Sequence, residues 1–240
     1  MVSLNVSRVP RNSELLWLQA PDMHRSYNIF HERKVTMPRC RKSDEGLSGV
    51  LKDGQPAKVL QHIKNAGFFQ LMKAVIHKLD HPLIIALLER WHLETNTFHF
   101  PIGEATVTLQ DVQVIWGLPI EGPTVTGELV SETRNVDYWN NLCMEYLGTF
   151  PTDEVDRDNL QNDQIKFHAL AGRIDFTDFD DDDDEMCLFM ARRVILAMIG
   201  SELFLDPNAY DVSISLVKNL GDLSKEGRKS WVSAALACFV

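Results

Sequence analysis

Hydrophobic residues along this 240-residue chain recur mainly with the spacing of α-helices. Apolar side chains three and four positions apart lie on one face of a helix, and glycines or capping residues mark where such a face ends. The predicted helices cover approximately residues 57–65, 68–79, 80–91, 109–116, 136–147, 159–174, 185–199, 212–220 and 229 onward. The pattern predicts a mainly α fold, a single compact multi-helix domain.

Capping residues support these boundaries. Asp80 is expected to cap the helix that follows it, and Thr108 begins an S/T-x-x-acid pattern whose acid is Asp111. Glycine ends helices well because it adopts a left-handed conformation without steric cost. Four glycines are expected to end helices: Gly67, Gly117, Gly148 and Gly200.

The predicted helix over residues 80–91 carries a broad apolar stripe. Leu83, Leu87 and Trp91 follow one another at intervals of four, so the helix is expected to bury this face.

The period changes from 3.6 to two around residues 97–107. The alternation Thr97–Phe100, followed by Ala105–Val107, predicts a small β-hairpin with a four-residue connection, Pro101–Glu104. It is the β element that the pattern predicts.

Two regions are expected along the chain. Residues 43–56 contain three glycines and a proline without a sustained period, which indicates a loop or linker. We therefore expect a partly ordered N-terminal basic segment over residues 1–56 and one folded domain over 57–240. The apolar pattern from Ser230 runs to the last residue without a stop signal, so the domain is expected to be incomplete at its C-terminus.

The net charge of −10 is unevenly distributed, because seven acidic residues lie within residues 178–185. This run could attract Ca²⁺ or a basic partner, but it lacks the spaced ligands of an EF-hand, and a solvated loop is favoured. Residues 25–42 carry six basic residues and one acid. Such a segment could touch nucleic acid, although a surface loop more often has the same composition.

Composition also excludes several classes of protein. No apolar run approaches the approximately 18 residues of a membrane span, and the N-terminus lacks the apolar core of a signal peptide. The four cysteines form no C-x-x-C pair, which argues against a zinc or disulfide framework. We expect an intracellular, reducing compartment.

The densest polar cluster comprises Glu89, Arg90, His92, His99 and Glu104. Their spacing permits convergence but matches no zinc signature. The favoured interpretation is a structural network in which His99 and Arg90 satisfy carboxylates or hairpin carbonyls; a metal or catalytic site is the alternative. The chain contains no phosphate-binding loop, nucleophile elbow or dinucleotide fingerprint, so we assign no catalytic, cofactor-binding or metal residue.

A long motif covers residues 87–127. It reads LLERW at 87–91, TNTFHFP at 95–101, GE at 103–104, TVTLQDV at 106–112, GLP at 117–119 and VTG at 125–127. These stretches resemble the plant mobile domain, whose pattern is ALxERW, THTFHLPxGE, TxTLxDV and GLPxxGxxVTG. Ser230-Trp231 and Ala234–Ala237 match as well. Departures are His92-Leu93 for Arg-Pro, Asn96 for His and Val232 for Gly.

The resemblance implies a non-catalytic nuclear interaction module. It would act in meristem maintenance, gene expression and transposable-element silencing beside a protein phosphatase 7 long form-like protein. The chain itself has no metallophosphatase motif and no identifiable aminotransferase lysine, and no cofactor is expected. The alternative is an enzyme or nucleic-acid-processing factor with a site around Arg90, His99 and Glu104. The signature residues that are candidates for interaction are Glu89, Arg90, Trp91, Thr97, Phe98, His99, Gly103, Glu104, Thr108, Asp111 and Gly117.

Overall fold

The protein is described from a computed structural model, which covers residues 28, 34, 47, 49, 51, 54–75, 80–126, 136–149, 160–161, 163–204 and 211–237. Most of the basic segment 25–42, Cys40, Cys238 and the last residues of the C-terminal apolar pattern lie outside this set. The chain divides into two compact units. Unit 1 comprises residues 1–40 and 78–108, and unit 2 comprises residues 41–77 and 109–240.

The described elements confirm a mainly α fold with small antiparallel sheets. The α-helices are α1 (Ala57–Asn65), α2 (Phe69–Val75), α3 (His81–Leu88), α4 (Leu109–Trp116), α5 (Val136–Leu147), α6 (Phe167–Ala171), α7 (Asp184–Met198), α8 (Leu223–Glu226) and α9 (Trp231–Ala237). A π-helix covers Ile199–Leu203 and a 3₁₀-helix covers Ile214–Leu220. The strands are β1 (Trp91–His92), β2 (Thr97–Phe100), β3 (Gly103–Ala105), β4 (Leu160–Gln161), β5 (Gln164–Lys166) and β6 (Asp211–Ser213).

Unit 2 is built around helix α7, which packs against α1, α5 and α6. Every residue from Met190 to Met198 is buried, including the two adjacent arginines Arg192 and Arg193. Consecutive helical residues point about 100° apart, so the two guanidinium groups reach different neighbours. The apolar core of the unit therefore contains two cations at its centre.

Arg192 donates to the ends of two other segments. Its Nε lies 2.8 Å from the carbonyl oxygen of Leu220, and its Nη2 lies 2.6 Å from that of Gly221, at the C-terminus of the 3₁₀-helix. Its Nη1 lies 3.3 Å from the carbonyl oxygen of Tyr146, in the last turn of α5. The last carbonyls of a helix lack intrahelical donors and carry partial negative charge, so they suit a buried cation.

Arg193 repeats this arrangement on the adjacent side of α7. Its Nε donates to the carbonyl oxygen of Leu147 at 2.8 Å, and its Nη1 donates to that of Arg173 at 2.9 Å. Burial, with a smaller contribution from the charge of Arg173, lowers the pKa of Arg193 to about 10. The group is still a cation at neutral pH, and backbone carbonyls rather than a carboxylate receive its hydrogen bonds.

Part of the acidic run joins α7 to α1. Asp183 caps α7 by accepting from the backbone N–H of Met186 at 3.0 Å. The Nζ of Lys58 lies 2.8 Å from Asp184 Oδ1, and the backbone N–H of Lys58 donates to Asp181 Oδ1 at 3.2 Å. The run is largely exposed, as a solvated loop would be, but these contacts also fix the first turn of α1 beside that of α7.

A second sheet replaces helix at two predicted positions. Residues 159–174 and 212–220 were predicted to be helical, but strands β4, β5 and β6 form an antiparallel sheet in that order. Ile165 lies opposite Val212, and Lys166 pairs with Asp211 at 2.7 Å. Buried β-branched residues that alternate with polar ones fit a strand, and the cross-strand ion pair adds to this preference.

Gly200 does not end a helix, contrary to expectation. Helix α7 continues directly into the π-helix, and a Cβ at Gly200 would overlap the side chain of Val212. The glycine therefore permits close packing of β6. By contrast, Gly117 and Gly148 end α4 and α5 in the left-handed conformation, with φ of +67° and +63°.

The prediction for α3, in unit 1, was partly wrong. Asp80 caps this helix through the N–H of Leu83 as expected, but the helix ends at Leu88 and buries none of its residues. Trp91 lies in a strand, because the chain turns at Glu89 and Arg90. The hairpin connection is also shorter than predicted: Phe100 pairs with Gly103, which leaves Pro101 and Ile102 as the turn.

Within residues 43–56, which were interpreted as a loop, Leu47 and Leu51 are helical and buried in the core.

We predict that Arg193→Met will lower the free energy of unfolding by about 2 to 4 kcal/mol. The substitution keeps a long apolar stem but removes the donors to two buried carbonyls, each of which costs about 1 to 3 kcal/mol when left unsatisfied. Urea unfolding followed by circular dichroism measures the change. The control is Arg228→Met at an exposed position, with an expected change within about 0.5 kcal/mol. Equal, small effects of the two variants would contradict the structural role of Arg193.

Cys143 should be inert to thiol reagents until the protein unfolds. Its side chain is fully buried, and this burial raises the pKa of the thiol to about 12. Because the thiolate is the reactive species, labelling at pH 8 should follow global unfolding. Mass spectrometry of a Cys40→Ser/Cys238→Ser variant measures the rate at which Cys143 is labelled. Rapid labelling of Cys143 in the native state would refute the expectation.

Candidate interaction surface on the three-stranded sheet

Strands β1, β2 and β3 in unit 1 form an antiparallel sheet in which β2 is central. Trp91 pairs with Phe98, and His99 pairs with Glu104. Alternate residues of a strand point to opposite faces, so the sheet has an aromatic face and a polar face. The aromatic face carries Trp91, Phe98 and Phe100; the polar face carries His92, Thr97, His99 and Glu104.

The aromatic face is held by one ring contact between strands and one within β2. The centroids of Trp91 and Phe98 are 4.8 Å apart with the planes at 63°, and those of Phe98 and Phe100 are 6.3 Å apart. All three side chains are half-buried. An edge-to-face pair such as Trp91–Phe98 contributes about 0.5 to 1.5 kcal/mol beyond its burial.

The polar face is a small network. The imidazole rings of His92 and His99 stack at 3.8 Å, and His99 Nε2 lies 3.7 Å from Glu104 Oε1 and 3.3 Å from Thr95 Oγ1. Thr97 Oγ1 donates to Glu104 Oε2 at 3.2 Å and lies 2.7 Å from Thr95 Oγ1. The imidazole and the carboxylate thus each lie within hydrogen-bonding distance of a threonine hydroxyl. Their geometry aligns the β1–β2 turn with β3.

Asn96 lies in that turn with φ of +52°. Asparagine adopts this left-handed conformation more readily than most residues. Its carbonyl oxygen accepts from Thr106 Oγ1 at 2.7 Å, which links the turn to the segment after β3.

Arg90 joins the network through its backbone. Its carbonyl oxygen accepts from the N–H of His99 at 2.8 Å, while the residue as a whole is exposed. Glu89, next to it, is half-buried. The structure therefore brings the side chains of His99 and Glu104 together, whereas Arg90 is joined to His99 through its backbone carbonyl.

The remaining signature residues lie at element ends. Gly103 begins β3 with φ of +141°, a conformation that favours glycine. Thr108 directly precedes α4, Asp111 is exposed in the first turn of that helix, and Gly117 ends it. The candidate residues are thus divided between the units, with Asp111 and Gly117 in unit 2 and the others in unit 1.

Unit 1 buries little over residues 80–108. Within this range His92 is the one buried residue, whereas several large aliphatic side chains are exposed. They are Leu83 (56%), Leu88 (44%), Leu93 (77%), Ile102 (99%) and Val107 (44%). Their recurrence over so short a range makes this part of unit 1 a candidate contact surface.

The sequence analysis did not single out Leu93 or Ile102. The sequence signal that could have identified Ile102 is its position in a tight hairpin turn, where glycine, asparagine or aspartate is usual. Leu93 stands where the family pattern has proline. A large aliphatic side chain in a turn has no strand neighbour to cover it.

Within the part of the chain that the structure describes, no group of three or more His, Cys, Asp or Glu residues is arranged to hold a metal ion. The same part contains no helix long and apolar enough to cross a membrane.

A family model for the plant mobile domain matches residues 67–239. The chain belongs to the plant mobile domain family. This match includes the three-stranded sheet, the loop after α4 and helices α5, α6 and α7, so the resemblance expected from the motif at 87–127 is confirmed.

Curated relatives come from Arabidopsis thaliana. The chain is 37% identical over 215 residues to the Serine/threonine-protein phosphatase 7 long form homolog, covering 89% of this chain and 15% of that protein. It is 30% identical to Protein MAIN-LIKE 1, covering 92% and 42%, and 30% identical to Protein MAINTENANCE OF MERISTEMS, covering 79% and 40%. The chain thus spans less than half the length of each of these relatives. No solved structure matches it.

We predict that Trp91→Ala will cost about 1 to 2 kcal/mol of unfolding free energy. Trp91 is half-buried and loses one main ring contact, so its cost should be below the approximately 3 to 5 kcal/mol of a fully buried aromatic residue. The comparison is Trp231→Ala, since Trp231 is fully buried against Phe68. Urea unfolding of both variants tests the difference, and a cost for Trp91 equal to that for Trp231 would make Trp91 a core residue.

Proposed function

We propose that this plant mobile domain is a non-catalytic interaction module of the nucleus, and that the sheet of unit 1 provides its main partner-binding surface. The observation that carries the proposal is the low burial of residues 80–108 together with the exposed side chains of Leu93 and Ile102. Interfaces have an apolar centre and a polar rim. Leu93 and Ile102 lie in the turns at the two ends of β2, and Arg90 and Glu104 are exposed polar residues of the same region.

The polar face supports a structural role over a catalytic one. A general acid or base must present a polar atom to a substrate. His99 Nε2 lies instead against Thr95 Oγ1, whereas Glu104 contacts Thr97 and keeps a side chain that is 57% exposed. His99 is also stacked on His92, and its side chain is 11% exposed.

The proposed partner is a protein phosphatase 7 long form-like protein, and the proposed processes are meristem maintenance, gene expression and transposable-element silencing. One relative is named as a phosphatase 7 long form homolog and another as a maintenance-of-meristems protein, which supports this context. The relative named for the phosphatase is far longer than the region it shares with this chain. The interaction domain and the phosphatase-like protein could therefore belong to one polypeptide or be separate chains.

Affinity purification of the tagged chain from plant nuclei, with mass spectrometry, tests the proposal. Wild-type protein should recover a phosphatase 7 long form-like protein, and Leu93→Ser/Ile102→Ser should reduce recovery at least tenfold, because both apolar side chains are removed from the surface. An Arg90→Ala/His99→Ala/Glu104→Ala variant, shown to remain folded, tests the polar groups of the same sheet.

The matched control is Val114→Ser/Ile115→Ser. It removes two comparably exposed aliphatic side chains, 84% and 61% exposed, from α4 in unit 2. Recovery should be unchanged in this control. Equal recovery by the sheet variant and the control would exclude the sheet as the interface, and absence of the phosphatase from every preparation would exclude the proposed partner.

A further inference from the structure

Unit 2 contains an open cleft of about 840 Å³ between the loop that follows α4 and helix α9. The loop contributes Ile120, Glu121, Gly122, Thr124 and Val125. Residues from elsewhere in the unit complete it: Phe204, Ser213, Ser215, Leu216, Ser230, Ser233, Ala234 and Ala237.

The loop wall of the cleft is fixed by its backbone. Gly122 has φ of +127°, and a Cβ there would overlap the carbonyl oxygen of Arg228. Thr124 forms a parallel bridge with Ser230, whose N–H donates to the carbonyl oxygen of Pro123 at 3.1 Å. The wall is thus tied to the start of α9.

The helical wall consists of small side chains. Ser230, Ser233, Ala234 and Ala237 recur at the spacing of one helix face. The hydroxyls of Ser230 and Ser233 both donate to the carbonyl oxygen of Ile120, at 2.6 and 3.0 Å. These hydrogen bonds connect helix α9 to the loop. The small side chains of the helical wall leave the cleft between the two walls open.

The lining combines large apolar side chains with several hydroxyls. Phe204 and Leu216 provide large apolar surfaces, and Val125 is buried beside them. Ser213 and Ser215 lie with their hydroxyl oxygens 2.6 Å apart. An apolar lining with a few placed polar groups is the usual composition of a binding site.

The charge of the cleft restricts its ligand. Among the described residues that line it, Glu121 is the one that is charged, and it is exposed. The adjacent Lys229 directs its Nζ to Asn219 Oδ1 at 2.8 Å. With one carboxylate and no cation among the described lining residues, the position of Glu121 favours a cationic group over phosphate or carboxylate, while Arg228 and Lys229 precede Ser230 in the chain.

We infer that this cleft binds a short peptide segment of a protein partner, with a lysine or arginine paired to Glu121 and small or aliphatic side chains against Phe204 and Leu216. The inference rests on the proposed function, because it assigns a second contact to the same interaction module. An open cleft of this kind suits a peptide, whereas small-molecule sites enclose most of the ligand surface. Both walls lie within the region that matches the family model.

Panning a phage library of random 12-residue peptides on the purified chain tests the inference. Ala234→Trp should fill the cleft, and Glu121→Lys should reverse its charge at an exposed position. Peptides selected by wild-type protein should carry lysine or arginine next to aliphatic residues and should bind both variants at least tenfold more weakly. The control is Glu185→Lys, an exposed charge reversal in α7 outside the cleft, which should bind them as wild type does.

Thermal unfolding establishes that each variant is folded, and Glu121→Lys remains a valid test if Ala234→Trp is unstable. The inference is overturned by selected peptides that lack basic residues, by equal binding to wild type and the Glu121→Lys variant, or by no enrichment over an empty support. Such a failure is separate from failure of the proposed function, since partner recovery through the sheet depends on Leu93 and Ile102.

Discussion

Two adjacent arginines inside an apolar helix are the constraint on which unit 2 depends. Arg192 and Arg193 donate from α7 to the C-terminal carbonyls of α5 and of the 3₁₀-helix, and to the segment after α6. Removing these cations from water is costly, and the structure offsets this cost with helix-end carbonyls that would otherwise lack donors in the core. Since the bonds are directional, they specify how these segments are placed around α7, which apolar packing alone would leave less defined.

Unit 1, over its described residues, buries few side chains, in contrast to unit 2. Its sheet is held by three aromatic rings on one face and by a histidine–threonine–glutamate network on the other, but it buries almost nothing. A three-stranded sheet usually requires a buried face for independent stability. The exposed side chains of Leu93 and Ile102 are therefore consistent with a surface that gains burial from a partner.

Local signals predicted the elements that depend on local chemistry. Helices α1 and α5 have the predicted bounds, Asp80 is a cap, and Gly117 and Gly148 end helices, because capping and left-handed glycine conformations are set by neighbouring residues. The second sheet was missed because Ile165 and Val212 pair across 47 positions, and such pairing leaves little trace in a short window. The role of Arg192 and Arg193 was also missed, since their acceptors are backbone carbonyls, which no side-chain pattern marks. At the candidate site, the sequence analysis identified residues of the three-stranded sheet. It did not predict the division into an aromatic and a polar face, or the exposed turn residues Leu93 and Ile102.

Native-state hydrogen exchange as a function of denaturant is the most direct test of this division between a braced core and a poorly buried sheet. The amide of Ile195 in α7 should exchange only through global unfolding, with the free energy and denaturant dependence of the whole protein. The amide of His99 in β2 should exchange through a local opening with a clearly lower free energy and a weak denaturant dependence. Exchange of both amides with the same free energy and dependence would show that the sheet is a cooperative part of the core and would contradict this account.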